Sequence, residues 1–270
     1  MSRRKTLHTV SNGVKRKPHT IIFSGYGLNC ETETKAAFEL AGGTAEIMHI
    51  NEVISRPAVL KRAQIVAFPG GFSYGDDTGS GKAYANRIKQ QLGGELEKFL
   101  SRDTLMIGIC NGFQIITSAG ILPGALIAND SARYLCRWVD VEVRNDSPWL
   151  RGITRMSLPI AHGEGKYYGD AKLLEKLKKE NAVALAYAPG EISNHFDLAA
   201  NPNGSLENIA GITGYKGRVF GLMPHPERAV RFTALPHWTY VKEVLTREGS
   251  ELPTEGPGIA IFRNAVRYFA

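Results

Sequence analysis

Short apolar runs that end at glycine, proline or cysteine recur along this chain and alternate with segments of helical spacing. HTIIFSGYG, QIVAFPGG and TLMIGIC each contain a run with the length of a buried strand. CETETKAAFELAGG and GFQIITSAG, which follow two of these runs, have the spacing of helices that stop at glycine. Strands that are apolar throughout are buried on both faces, so helices must cover them. The pattern predicts an α/β fold with an open, mostly parallel central sheet and helices on both faces.

The middle of the chain departs from this pattern. From YLCRWVDVEVRND onward, apolar and polar residues alternate, which predicts a mixed sheet or a β insertion. Two separate helices are predicted in AYANRIKQQL and GELEKFLSR, and a helical segment after Leu235. We therefore expect a flexible basic tail at 1–19, one domain at 20–235, and a C-terminal helical extension at 236–270 that packs on the domain.

The net charge of +7 does not indicate a nucleic-acid partner. Six cations precede Pro18 in a stretch without acidic residues, namely Arg3, Arg4, Lys5, Lys15, Arg16 and Lys17. Subtracting these six charges from the net charge of +7 leaves +1 for the rest of the chain, which is too balanced for a basic binding face. The chain shows no apolar run long enough for a membrane span and no secretory signal pattern. Three cysteines without a CxxC pair predict neither a disulfide framework nor a metal site, and they favour a cytoplasmic location.

Cys110 lies where an apolar strand passes into a helix. Gly108 and Gly112 flank it in a G-x-C-x-G pattern, which is typical of a nucleophile elbow: a sharp strand-to-helix turn whose small neighbours let the side chain project from the sheet. The helix N-terminus favours a thiolate at this position, and the Asn111 N–H can point at a developing oxyanion. The alternative is a small buried residue without a catalytic role.

A base for this thiol is predicted at His225, in MPHPERAV. Pro224 and Pro226 restrict the chain, and a residue before proline tends to be extended. Positions i and i+2 of an extended segment face the same side, so Glu227 can orient the His225 ring. The alternative is a loop histidine beside a solvated glutamate.

A third strand end carries FPGGFSYGDD. Consecutive glycines expose backbone N–H groups, so we predict a second oxyanion donor at Gly71 or Phe72, the alternative being an ordinary tight turn. The following GDDTGSGKA is not a phosphate loop. Asp76 stands where that motif needs glycine, and Ala83 stands where it needs serine or threonine.

Four motifs together resemble the class I glutamine amidotransferases: PGGFSYGD, GICNGFQ, AHGEGKYY and MPHPERAV. Within that class they are similar to members that supply nitrogen for purine biosynthesis. The resemblance implies that Cys110 attacks the side-chain amide of glutamine, and that His225, oriented by Glu227, protonates the departing ammonia. It also implies a substrate contact from Gln114. For His162 and Glu164, in HGEG, it implies a place in the substrate pocket or at the partner interface, the alternative being a structural glycine-rich turn.

The same resemblance implies partners. Ammonia becomes non-nucleophilic ammonium in water, so it must pass through a shielded path to a synthetase subunit. That subunit is expected to bind ATP and magnesium and to convert formylglycinamide ribonucleotide to formylglycinamidine ribonucleotide, with a small third subunit in the complex. No cofactor is expected in this chain.

Two other functions stay open at this point. The first is a stand-alone cysteine hydrolase or peptidase of similar fold, against which the glutamate of PHPE and the GGFSYGD loop argue. The second is a non-catalytic regulatory or scaffolding subunit, against which the presence of nucleophile, base and orienting carboxylate argues.

Overall fold

The computed structural model describes residues 17–76 and 79–270. Most of the predicted basic tail, 1–16, therefore lies outside the described residues, as do positions 77 and 78 of GDDTGSGKA. The first strand begins at His19, one residue inside the range predicted as tail.

The described residues form eleven strands: β1 His19–Ser24, β2 Thr44–His49, β3 Ile65–Phe68, β4 Leu105–Ile109, β5 Ala125–Ile127, β6 Leu135–Val143, β7 Arg155–His162, β8 Lys166–Tyr168, β9 Val183–Tyr187, β10 Ile209–Gly214 and β11 Val219–Leu222. They also form eight α-helices: α1 Glu31–Leu40, α2 Ile50–Ser55, α3 Lys82–Ser101, α4 Asn111–Ser118, α5 Ala171–Lys179, α6 Glu191–His195, α7 Trp238–Arg247 and α8 Ile259–Arg267.

Nine of these strands make one sheet in the order β2-β1-β3-β4-β11-β10-β9-β6-β7, and β5 pairs with β8 apart from it. The strands β1, β2, β3, β4 and β11 pair in parallel. The pairs β11–β10, β10–β9, β9–β6 and β6–β7 are antiparallel, so only β6 and β10 run in the opposite direction to the other seven strands. This confirms the predicted α/β fold with a mostly parallel, mixed sheet. Seven strands therefore point their carboxyl ends to the same edge.

Burial follows the strand pattern that the sequence predicts. Every residue of β3 and β4 is buried, and Phe23 of β1 stacks on Phe68 of β3 with ring centroids 4.4 Å apart. In the described part of the chain no helix has the length and apolar character to cross a bilayer.

The two helices predicted between 83 and 102 form one continuous helix, α3. Gly93 and Gly94 lie inside it without breaking it. Glycine costs about 1 kcal/mol in a helix, whereas the apolar face continues across the pair through Ile88, Leu92 and Leu96, all buried. The prediction of a break was wrong because burial outweighs local propensity.

The β6–β7 hairpin reaches over the carboxyl edge of the sheet. Only the last part of β6, Val141–Val143, pairs with β9, whereas β7 pairs along β6 from Leu135. The remainder of the hairpin passes the end of β9 and approaches the loop after β11, where the His225 N–H donates to the Pro159 carbonyl at 2.8 Å.

The C-terminal helices follow β11. Phe262 of α8 is fully buried and meets Phe38 of α1 edge-on, with ring centroids 5.0 Å apart. Gly258, just before α8, lies so close to the turn after His225 that a Cβ there would be 2.1 Å from the Pro226 carbonyl oxygen. The domain boundary between 235 and 236 stays a prediction.

Candidate active site

Loops after several strands that end at the shared carboxyl edge bring the predicted residues to one place, as expected for ligand sites in α/β sheets. Gly70 and Gly71 follow β3, Cys110 follows β4, and His225 follows β11. His162 ends β7, which the crossing hairpin carries to this edge.

The backbone of Cys110 has a strained conformation at the strand-to-helix turn, with φ 51° and ψ −107°. Such strain typically costs about 1–3 kcal/mol and persists where the surroundings impose it. The Cys110 N–H donates to Leu222 at 2.8 Å, and Sγ lies 3.6 Å from the Ala161 carbonyl oxygen. Cys110 is 4% exposed, so it is buried.

Gly108 and Gly112 serve close packing around this turn. A Cβ on Gly112 would lie 1.8 Å from the Phe68 carbonyl oxygen, and one on Gly108 would lie 2.7 Å from the Gly112 carbonyl oxygen. The positive φ belongs to Cys110 itself. The glycines are required because α4 starts directly against β3 and β4.

His225 and Glu227 form a buried pair, with Nδ1 and Oε1 2.5 Å apart. Pro226–Ala229 is a 3₁₀ turn, so the expected extended segment is wrong, yet the turn brings the same two side chains together. Burial opposes the charged form of His225, but the Glu227 carboxylate and the nearby Cys110 sulfur outweigh it and hold the pKa of His225 well above its usual value.

A second thiol, which sequence reasoning did not select, lies behind this pair. The Cys30 sulfur is fully buried, and a His225 ring nitrogen, a Glu227 oxygen and Sγ of Cys30 all lie within 4.8 Å of one another. The Arg228 guanidinium donates to the Cys30 sulfur at 2.9 Å, and this positive charge opposes a metal cation there. The available signal was its place just after a predicted strand, in GYGLNC.

Two of the three predicted oxyanion donors, the N–H groups of Gly71 and Asn111, are available to donate a hydrogen bond. Within the described chain, no hydrogen bond takes up the Gly71 N–H or the Asn111 N–H. The Phe72 N–H instead donates to the Gly27 carbonyl at 2.9 Å, so the prediction for Phe72 was wrong. The reason is a bridge between the loops after β1 and β3, which pairs Leu28 with Gly71.

Gln114 and Glu164 join α4 to the loop after β7. The Gln114 side-chain NH₂ donates to the Glu164 carbonyl at 2.5 Å, and its oxygen accepts from the Asn111 side chain at 2.8 Å. The Glu164 carboxylate accepts from the Ser80 N–H at 3.0 Å. These contacts hold the loop in place, and a direct substrate contact of either residue stays a prediction.

His162 is held as a neutral ring of defined tautomer. The Asn129 NH₂ donates to the Arg133 and His162 carbonyls at 2.8 and 2.9 Å, so the Asn129 oxygen faces Nδ1 of His162, 3.1 Å away. That oxygen can only accept, so the ring proton is on Nδ1. Burial, together with the charge of nearby His225, lowers the pKa of His162 to about 4. Nε2 is therefore an unprotonated acceptor, buried without a partner among the described residues.

Comparisons with known proteins identify the family of this chain. The CobB/CobQ-like glutamine amidotransferase domain family matches residues 17–269. Phosphoribosylformylglycinamidine synthase subunit PurQ of Methanococcus maripaludis is 43% identical over 95% of this chain and 99% of its own length. PurQ of Dehalococcoides mccartyi is 44% identical over 93% of this chain and 98% of its own.

Solved structures show the same relationship. A chain in the structure of PurLQS from Thermotoga maritima is 30% identical, with a TM-score of 0.69 over 94% of this chain and all of that one. A glutamine amidotransferase from Thermotoga maritima shares the fold, with a TM-score of 0.51 at 15% identity over 94% of this chain and 92% of that one. The chain thus belongs to the PurQ family of phosphoribosylformylglycinamidine synthase subunits, within the CobB/CobQ-like glutamine amidotransferases.

Proposed function

We propose that this chain hydrolyses glutamine through Cys110, His225 and Glu227 and passes the ammonia to a synthetase partner. The observation that carries the proposal is the strained Cys110 turn beside the buried His225–Glu227 pair. The raised pKa of His225 favours an imidazolium, which stabilises the thiolate form of a neighbouring thiol.

In the first step, the Cys110 thiolate attacks the side-chain amide carbon of glutamine and forms a C–S bond. The carbonyl π electrons move to oxygen, and the Gly71 and Asn111 N–H groups are the available donors for that oxyanion. One such donor typically contributes about 3 kcal/mol to transition-state stabilisation.

In the second step, the tetrahedral intermediate collapses and the C–N bond breaks. The His225 imidazolium gives its proton to the departing nitrogen, so ammonia leaves and a glutamyl thioester remains on Cys110. Neutral His225 then takes a proton from water, which attacks the thioester and releases glutamate. Glu227 keeps the ring oriented and stabilises its charge throughout.

The acceptor of the ammonia is proposed from the relatives. Their names assign them to phosphoribosylformylglycinamidine synthase, and the Thermotoga maritima structure is of a PurLQS complex. We infer a synthetase subunit that binds ATP, magnesium and formylglycinamide ribonucleotide, together with a small third subunit, in the cytoplasm.

The test is glutamate release from glutamine by the full chain mixed with candidate synthetase subunits. Cys110→Ser is expected to abolish release, whereas Cys136→Ser is the matched control, because Cys136 is an exposed cysteine on β6. Retained activity in Cys110→Ser contradicts the proposal. Cleavage of peptides favours a stand-alone hydrolase, and failure of a glutamine-like electrophile to label Cys110 favours a non-catalytic subunit.

A further inference from the structure

Cys30 is a buried thiol that the proposed reaction does not use. It directly precedes α1 and is fully buried, and its N–H donates to the Gly70 carbonyl at 3.1 Å. A Cβ on Gly70 would lie 3.2 Å from the Cys30 sulfur and 2.6 Å from Cε1 of His225. Cys30 therefore packs between the loop that carries the Gly71 N–H and the turn that carries His225.

The Cys30 thiol is hydrogen-bonded on two sides. Its S–H donates to the Asn29 side-chain oxygen at 3.4 Å, and its sulfur accepts from the Arg228 guanidinium at 2.9 Å. Arg228 is an exposed residue, so its side chain reaches inward from the surface to a buried acceptor. This contact sets the direction of a cation beside the His225–Glu227 pair.

Glu227 has one oxygen that is open to a second cation. Its Oε1 lies 2.5 Å from Nδ1 of His225, whereas Oε2 is buried and has no hydrogen-bond partner among the residues that the structure describes. An oxygen of Glu227 lies within 4.8 Å of the Cys30 sulfur, which the Arg228 guanidinium also contacts. Because Arg228 follows Glu227 in the chain and has a long, flexible side chain, it competes with His225 for this carboxylate.

The outcome of this competition sets the charge of the His225 ring. The planar guanidinium of arginine matches both oxygens of a carboxylate, so a Glu227–Arg228 pair would be a strong one. A Glu227 carboxylate that is neutralised by Arg228 would stabilise the His225 imidazolium less. The Cys30 sulfur offers Arg228 another acceptor, and in the structure the guanidinium bonds to it while Oε2 stays free.

Other titratable groups lie within electrostatic range of these residues. They come from the turn after β4, from β7, from the start of β6 and from α1, and they are Cys110, His162, Tyr134 and Glu33. Of these, only Glu33 offers Arg228 another carboxylate. Glu33 is exposed, where an ion pair contributes little, so Glu227 is the stronger alternative partner.

We propose that Cys30 is a positioning residue, whose sulfur holds the Arg228 guanidinium away from Glu227 and so keeps this carboxylate for His225. The inference rests on the proposed glutaminase function, because it concerns the histidine that protonates the departing ammonia. Cys30 itself forms no bond to the substrate.

The test follows the His225 ring by NMR of the full chain with ¹³C-labelled histidine, and His225→Asn assigns its signal. Cys30→Ala removes the acceptor, so Arg228 is expected to turn to Glu227 and the His225 titration midpoint to fall by about one pH unit or more. Cys30→Ser keeps an acceptor and is expected to titrate close to wild type. Adding Arg228→Gln to Cys30→Ala removes the competing cation and is expected to restore the midpoint.

Cys136→Ala is the matched control, because it removes an exposed thiol from β6 and is expected to leave the midpoint unchanged. If Cys30→Ala does not fold, Cys30→Val, which keeps bulk without the acceptor, decides the result. An unchanged midpoint, or a lowered one that Arg228→Gln does not restore, overturns the role of Cys30 and leaves the glutaminase proposal intact. Wild type that releases no glutamate with its synthetase partner overturns the glutaminase proposal instead.

Discussion

At the scale of single residues, the site depends on charge and strain at a few buried side chains. Cys110 is held at a positive φ, and His225 is paired with Glu227 away from water. His162, which lies within electrostatic range of His225, is neutral instead. Two buried histidines at one sheet edge thus have opposite charge preferences, because only one of them has a carboxylate partner.

Glu227→Gln tests the charge on His225. Without the carboxylate, burial lowers the pKa of His225, so the imidazolium is lost at lower pH. We expect the alkaline limb of the glutaminase pH profile to move toward lower pH and iodoacetamide labelling of Cys110 at pH 7 to slow about tenfold. Glu243→Gln, an exposed carboxylate paired with Arg247, is the control. Identical pH profiles in wild type and Glu227→Gln contradict the assignment.

His162→Asn tests the neutral ring through stability. The folded pKa of His162 is about 4, against 6.5 for an unperturbed histidine. Between these values the unfolded chain binds the proton and the folded chain does not, so stability falls as pH falls from 6.5 to 4. Over this pH range we expect the unfolding free energy of wild type to fall by about 3 kcal/mol more than that of the His162→Asn variant.

The measurement for His162 is urea unfolding at pH 7 and at pH 4.5. His195→Asn, which changes an exposed histidine, serves as the control and is expected to follow wild type. Parallel pH dependence in wild type and His162→Asn would show that the ring does not resist protonation.

At the scale of elements, close approach between α4 and the sheet positions the nucleophile. Gly112 lets the first turn of α4 pack directly against the Phe68 carbonyl. In the bridge between the loops after β1 and β3, the Phe72 N–H donates a hydrogen bond and the Gly71 N–H donates none. These are packing constraints, so glycine substitutions have effects that depend on their neighbours.

Gly112→Ala and Gly93→Ala are expected to act in opposite directions. The first puts a methyl group 1.8 Å from a carbonyl oxygen, so we expect a loss of several kcal/mol or failure to fold. The second lies inside α3 with no atom within 4 Å of the added Cβ, so we expect a gain of about 1 kcal/mol from helix propensity. Thermal unfolding measures both, and a destabilised Gly93→Ala variant contradicts this account.

At the scale of the whole molecule, the C-terminal helix and the active-site turn share one packing unit. Phe262 is buried against Phe38 of α1, and Gly258 packs on the backbone of Pro226, next to His225. The last strand end and the last helix therefore stabilise each other.

Phe262→Ala tests this unit. Loss of a fully buried phenylalanine typically costs about 3–5 kcal/mol, and we expect that loss in urea unfolding together with reduced glutaminase activity. Phe269→Ala, which truncates a half-buried ring near the C-terminus, is the matched control and is expected to cost less. Equal losses in the two variants would show that α8 is not anchored through Phe262.

By itself the sequence determined the fold class, the Cys110 turn and the His225–Glu227 pair, because continuous apolar runs, flanking glycines and short spacing are local signals. Only the tertiary structure decided that β7 crosses to this edge, that β9 ends there with Tyr187, and that Cys30 lies behind His225. It also decided that α3 continues through Gly93 and that Gly27 takes up the Phe72 N–H. The physical reason is that these features depend on contacts between segments far apart in the chain. Such contacts set the strand order, the crossing of the hairpin and the burial that keeps α3 continuous, and the local spacing of residues does not predict them.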